Sequence, residues 1–170
     1  RKNQSFILHV LAETKRLGRR YTLTFVGDGP DRRRLEALCK RLALDDQVVF
    51  KGRILNAANL MAQHRVLVHS AIMESFGIVL IEAMARGLPV VAAPVGGVSE
   101  VFRDGKEGLS WSLDDPAEGA RKLTALLDNK RYYDIMSAAA ITRFEKKFCS
   151  GKLARQLYDF LTKSNASAPS

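Results

Sequence analysis

The stretch SAIMESFGIVLIEAMARGLPVVAAPVGGVSE, Ser70 to Glu100, decides the fold. Ser75 to Arg86 reads as an apolar helix closed by Gly87, and Pro89 to Ala93 as a strand without a polar residue, hence buried. Paired glycines, Gly96 and Gly97, then lead into a helical turn over Val98 to Phe102. Upstream the same alternation holds. Ser5 to Leu17 has helical spacing and ends at Gly18, and Tyr21 to Val26 alternates like a strand. Asp31 to Leu44 is a basic amphipathic helix, Gln47 to Lys51 a strand, Asn56 to His64 a helix and Val66 to His69 a short strand. Downstream, Leu109 to Leu113 is the last strand, and the rest is helical with breaks near Asn129 and Ser150. Strands alternating with helices predict an α/β domain: a doubly wound parallel sheet with helices on both faces and a helical C-terminal region. Ligands of such sheets bind beyond the carboxyl ends of the strands, so the loops after strands are where chemistry is sought.

Composition agrees with one globular domain. Among 170 residues, 46% are apolar, with 12 Gly, 5 Pro and 2 Cys. A chain of this length buries about 70% of its unfolded surface. These proportions exclude a disordered chain, a collagen-like chain or Pro/Gly linker, and a disulfide-stapled scaffold. No stretch approaches the roughly 18 uninterrupted apolar residues of a membrane-spanning helix; Leu88 to Val98 is broken by Pro89 and Pro94. Cys39 and Cys149 show no metal-ligand spacing, so a cytosolic location or the cytoplasmic face of a membrane is expected. The opening RKNQSF, without an initiator Met, points to an excised domain spanning residues 1–163, with Ser164 to Ser170 a frayed tail. Lys and Arg number 27 against 18 Asp and Glu, a formal charge of +9.

Four loops are candidate sites. In VGDGP, Gly27 and Gly29 either let backbone amides approach a phosphate at a helix start or form a tight turn. A dinucleotide fingerprint fails there, because Arg32 stands where a third glycine is needed and no acidic residue ends the next strand. Next, Lys51-Gly52-Arg53-Ile54 puts two cations around a glycine at a strand end, able to meet a base or phosphate but equally ordinary surface. In the third loop, Glu74 at the start of the predicted helix and Glu82 eight residues on are separated by roughly 12 Å along the axis and rotated by about 80°. They would address opposite ends of an elongated ligand, Glu74 a sugar ring and Glu82 a ribose, with the amides of Ser75, Phe76 and Gly77 facing an anion. Glycosidase carboxylates lie only about 5 to 9.5 Å apart, which argues against hydrolysis. Glu82 falls within an apolar run, where a charge needs a partner. Otherwise Glu74 is a helix-terminus acid and Glu82 a solvated residue. Finally, Gly96 and Gly97 allow close backbone approach to phosphate or sugar, or simply make a turn.

The order VGDGP, FKGRI, HS, ESFGIVLIE, GLPVVA, GGVSE, then Asp104-Gly105 and Gly108, resembles retaining GT-B glycosyltransferases of the glycosyltransferase-4 type. The likeness covers nearly the whole chain and centres on Glu74 and Glu82 with Phe76-Gly77 between them. It implies a Rossmann-like half of a GT-B fold, the C-terminal, donor-binding domain, with the N-terminal acceptor domain absent from this chain. It also implies transfer of a hexose from a UDP-, GDP- or ADP-linked sugar, with retention and with neither metal nor cofactor. By resemblance, Glu74 and Lys2 are the catalytic residues. Glu74, Ser75, Phe76, Gly77, Gly96 and Gly97 bind the donor sugar; Glu82, Gly27, Arg53, Ile54 and Lys2 bind the nucleotide. Lys2 and the helix start would stabilise the departing diphosphate.

The chain departs from the family pattern in lacking a first strand and an upstream arginine. Arg65 stands where aspartate is usual, and His69 where proline is usual. His9, His64 and His69 match no family role and are read as structural. The chain alone is expected to be inactive. The alternatives are another GT-B nucleotide-sugar enzyme, an epimerase or phosphorylase, and a basic module using Arg19-Arg20, Arg32-Arg33-Arg34 and Lys146-Lys147. Without aromatic interleaving those clusters do not suit nucleic acid; peripheral association with anionic membrane suits them better, many relatives acting on lipid-linked acceptors.

Overall fold

A computed structural model describes residues 2–54, 57–149 and 151. The tail from Ser164, the break near Ser150, the domain end at 163 and the Asn56 start of the predicted third helix lie outside the described residues. The elements are α1 (Gln4–Arg16), β1 (Leu23–Phe25), α2 (Arg32–Arg41), β2 (Val48–Phe50), α3 (Ala57–Met61), β3 (Leu67–His69) and α4 (Ile78–Met84). They continue with β4 (Val90–Ala92), α5 (Val98–Val101), β5 (Gly108–Ser110), α6 (Pro116–Asp128), α7 (Lys130–Arg143) and a π-helical turn, Phe144–Phe148. This is the predicted succession, with the first four strands cut to their paired centres and β5 beginning one residue before the expected Leu109 and ending at Ser110.

Among the described residues every strand ladder is parallel, with one isolated antiparallel bridge between Gly27 and Gly52. β1 pairs with β2, Leu23 opposite Val48. β4 lies between β3 and β5, with Val91 opposite Val68 and Leu109. Among the described residues the two sheets, β1–β2 and β3–β4–β5, are separate. Side chains bridge them: the His64 ring donates through Nδ1 to the Leu60 carbonyl (2.9 Å) and accepts through Nε2 from the Thr24 hydroxyl (2.9 Å). This tautomer is assigned from the two partners. His64 is structural, as expected.

β4 explains why Pro89 to Ala93 is wholly apolar. Successive side chains point to opposite faces of a strand. Val91 and Ala93 join Phe6, Ile7 and Val10 of α1 with Trp111, Leu123 and Leu126, while Val90 and Ala92 join Leu80, Ala83 and Met84 of α4 with Val98, Val101 and Phe102. Both faces are covered, as a parallel sheet requires. A third cluster fixes α2 through Leu35, Leu38 and Cys39 to Leu8 and Leu11 of α1. Among the described residues, no helix is long and apolar enough to cross a membrane.

α2 and α3 end at Arg41 and Met61, short of the expected Leu44 and His64, and the start of α4 departs from expectation in a way that shapes the site. α4 begins at Ile78, not Ser75, because Gly77 is left-handed (φ 81, ψ 49) and caps it. The turn before Gly77 is recruited by a neighbouring loop instead.

Candidate functional site

At the carboxyl end of β3 the chain runs His69, Ser70, then an irregular loop to Gly77. The Ser70 hydroxyl lies 2.9 Å from the Lys2 carbonyl and 2.8 Å from that of Asn3, tying the entry of α1 to this strand end. Asn3 is left-handed (φ 49, ψ 41), which turns Lys2 away from the helix axis. From there Lys2 Nζ reaches Glu74 Oε2 at 2.7 Å. His69 Nε2 lies 3.3 Å from the same oxygen. The hydrogen bond from Lys2 holds the Glu74 carboxyl down to about 2, against the opposing effect of burial, with His69 adding to the lowering. Burial holds the His69 imidazole below its usual range although Glu74 pulls the other way. The cluster therefore contains a carboxylate, a neutral imidazole and an exposed ammonium.

The second loop explains the paired glycines. A β-carbon on Gly96 would stand 2.0 Å from the Glu74 carbonyl oxygen, and one on Gly97 would stand 2.3 Å from that of Ser75. Gly96 is also left-handed (φ 53). The Gly97 amide donates to the Glu74 carbonyl at 3.2 Å. The glycines thus bring the two halves of the quoted stretch together, and their close approach is to the protein's own backbone. The Gly97 amide is thereby committed to the Glu74 carbonyl. This contact also accounts for the late start of α4: the Glu74 carbonyl points to Gly97 instead of into a helix.

Two further expectations are corrected. Glu74 is in the loop and Glu82 in α4, so the spacing computed for a single helix does not apply, and Ser75 and Phe76 are not first-turn amides. Glu82 is exposed, and its carboxylate has no partner among the described residues. α4 buries Leu80, Ala83 and Met84 and turns Ile78 and Glu82 outward, so the apolar sequence around Glu82 did not mean burial.

The nucleotide candidates Gly27, Arg53 and Ile54 lie at the carboxyl ends of β1 and β2, where the Gly27 amide donates to the Gly52 carbonyl at 2.7 Å and Arg53 is exposed. Of the basic clusters, Arg19 pairs with Asp128, Arg20 with Asp46 and Arg32 with Glu36. Lys146 and Lys147 instead line a concave surface of about 340 Å³ with Arg103, Arg143 and the buried Glu107. Arg143 and Lys147 there donate to the neutral carbonyls of Val101 and Glu100. His69 and Ser70 were not put forward as site residues; their position at the carboxyl end of β3, His69 its last residue and Ser70 the next, was the available signal. Phe148, whose ring lies edge-on to Phe76 with centroids 6.4 Å apart, had no sequence signal.

The family described as glycosyl transferases group 1 matches residues 1–143. N-acetyl-alpha-D-glucosaminyl L-malate synthase of Bacillus anthracis is 34% identical over 134 residues, covering 79% of this chain and 35% of the relative. D-inositol 3-phosphate glycosyltransferase of Streptomyces bingchenggensis is 38% identical over 128 residues, covering 71% and 28%. Among solved structures, HepE of Anabaena in complex with UDP and glucose superimposes with a TM-score of 0.86 at 26% identity, over 95% of this chain and 45% of that one. The chain spans less than half the length of each of these proteins.

Proposed function

The chain belongs to the glycosyl transferases group 1 family, and we propose that it is the donor-binding half of a retaining glycosyltransferase. In that role it takes a hexose from a nucleoside diphosphate sugar and passes it, without metal or cofactor, to an acceptor held by a second domain of the whole protein. The observation that carries this is the Lys2–Glu74–His69 cluster seated against Gly96 and Gly97. An ionised carboxylate accepts hydrogen bonds from vicinal sugar hydroxyls, and a neighbouring exposed ammonium meets the diphosphate. HepE, aligned over 95% of this chain, was solved with UDP and glucose, which supports a uridine nucleotide donor.

In this proposal Glu74 binds the donor hexose beside Ser75, Phe76, Gly77 and Gly96. Lys2 offsets charge on the leaving diphosphate, which develops most in the transition state. Exposed Glu82 is free to accept from a ribose, and Gly27, Arg53 and Ile54 meet the nucleotide.

Calorimetric titration with UDP, GDP and ADP and their glucose conjugates tests this. One nucleotide should bind, Glu82→Ala should lose it, and Glu74→Gln should lose only the extra affinity given by the sugar. Absence of binding at millimolar concentration for all six would refute the assignment. Contact with an anionic membrane is a second proposal, favoured by the concave basic surface around Lys146 and Lys147.

A further inference from the structure

Glu74 is held by one oxygen only. Lys2 and His69 both reach Oε2, and Oε1 has no partner among the described residues. His69 closes β3 with only 8% of its surface exposed. Its carbonyl accepts from Trp111 Nε1 at 3.0 Å, which fixes the backbone beneath the ring. Its Nδ1 is buried and without a partner among the described residues.

These facts assign the tautomer. A carboxylate can only accept, so the imidazole proton belongs on Nε2. A proton on Nδ1 would leave an orphaned buried donor and set the Nε2 lone pair against Glu74. Protonating both nitrogens creates the same orphan and adds a buried charge beside Lys2. His69 is thus a neutral, directional donor.

We infer that His69 is a positioning residue: its Nε2–H, with Lys2, pins Oε2 of Glu74 and leaves Oε1 as the acceptor for a hydroxyl of the donor sugar. It rests on the donor-binding role proposed above, and adds a residue at a position where the family pattern expects proline, which has no such donor. His69 then sets preference for nucleotide sugar over bare nucleotide, since only the sugar reaches Oε1.

The test compares affinities for the nucleotide and glucose-conjugate pair that the unaltered chain binds, among the UDP, GDP and ADP pairs. His69→Phe fills the space without a donor and should keep nucleotide affinity within twofold while cutting the advantage of the conjugate about tenfold. His69→Gln, which restores an N–H, should recover part of it. In the unaltered chain, nitrogen NMR of the imidazole should show Nε2 protonated and Nδ1 bare at neutral pH. A full conjugate advantage in His69→Phe, or a proton on Nδ1, overturns the inference. Loss of that advantage in Glu74→Gln but not in His69→Phe overturns it while sparing the donor site. No loss in Glu74→Gln, or no pair binding at all, overturns both. Should His69→Phe not fold, the Gln variant and the tautomer still decide.

Discussion

Glu74 and His69 depend on pH in the same direction. The Glu74 carboxyl, at about 2 when folded and 4.5 ordinarily, contributes stability that is complete above pH 4.5 and lost as pH falls toward 2. His69 lies below its ordinary 6.5, so its contribution is complete above 6.5 and lost as pH falls through its lower folded value. Urea titrations from pH 7 to 3 should show stability falling throughout, with His69→Phe flattening the upper limb and Glu74→Gln the part below 4.5. An unchanged slope in Glu74→Gln would contradict the pairing. At Gly96, alanine meets both a left-handed backbone and the Glu74 carbonyl. Gly96→Ala should cost about 2 to 3 kcal/mol by denaturant titration and abolish sugar-dependent affinity. The sequence put Glu74, Gly96 and Gly97 forward as residues but did not show that they meet, because the contact depends on how two loops after neighbouring strands pack.

Helices and strands were legible wherever their cause was local. Gly18 and Gly87 end α1 and α4 where expected, since helix termination is a property of a few consecutive residues. The start of α4 was not legible: apolar spacing extended through Phe76, but the Gly97 amide claimed the Glu74 carbonyl first. The link between α5 and β5 shows a second tertiary effect. Burial would raise the carboxyl of Glu107, yet hydrogen bonds from the Arg103 guanidinium and amide bring it below its usual range. The carboxylate is about 1% exposed, so removing its partner leaves a buried charge. Arg103→Ala should therefore lower stability, the carboxylate keeping only the residue-103 amide and Arg143 at 4.0 Å, and Glu107→Gln in the same background should recover part of the loss. A thermal melt of the three variants checks the order.

For the whole molecule, a net charge of +9 is spread unevenly. Arg19, Arg20 and Arg32 are neutralised by acids and Arg143 lies 4.0 Å from Glu107, while Lys147 donates to the uncharged Glu100 carbonyl. Low-salt sedimentation with phosphatidylglycerol vesicles should capture the chain, phosphatidylcholine vesicles should not, and a Lys146→Glu, Lys147→Glu double variant should remain in solution. Capture of the double variant would shift the contact to another face. The chain's sequence determined its α/β succession, its parallel sheet and its wholly apolar β4, because period, helix stops and burial on two faces are written in adjacent residues. Tertiary structure alone decided that Glu82 faces solvent, that the glycines serve the protein's own backbone, and that Lys2 and His69 converge on Glu74. Lys2, 72 positions from Glu74, meets it only when Ser70 ties the entry of α1 to the end of β3, and no local pattern encodes that closure.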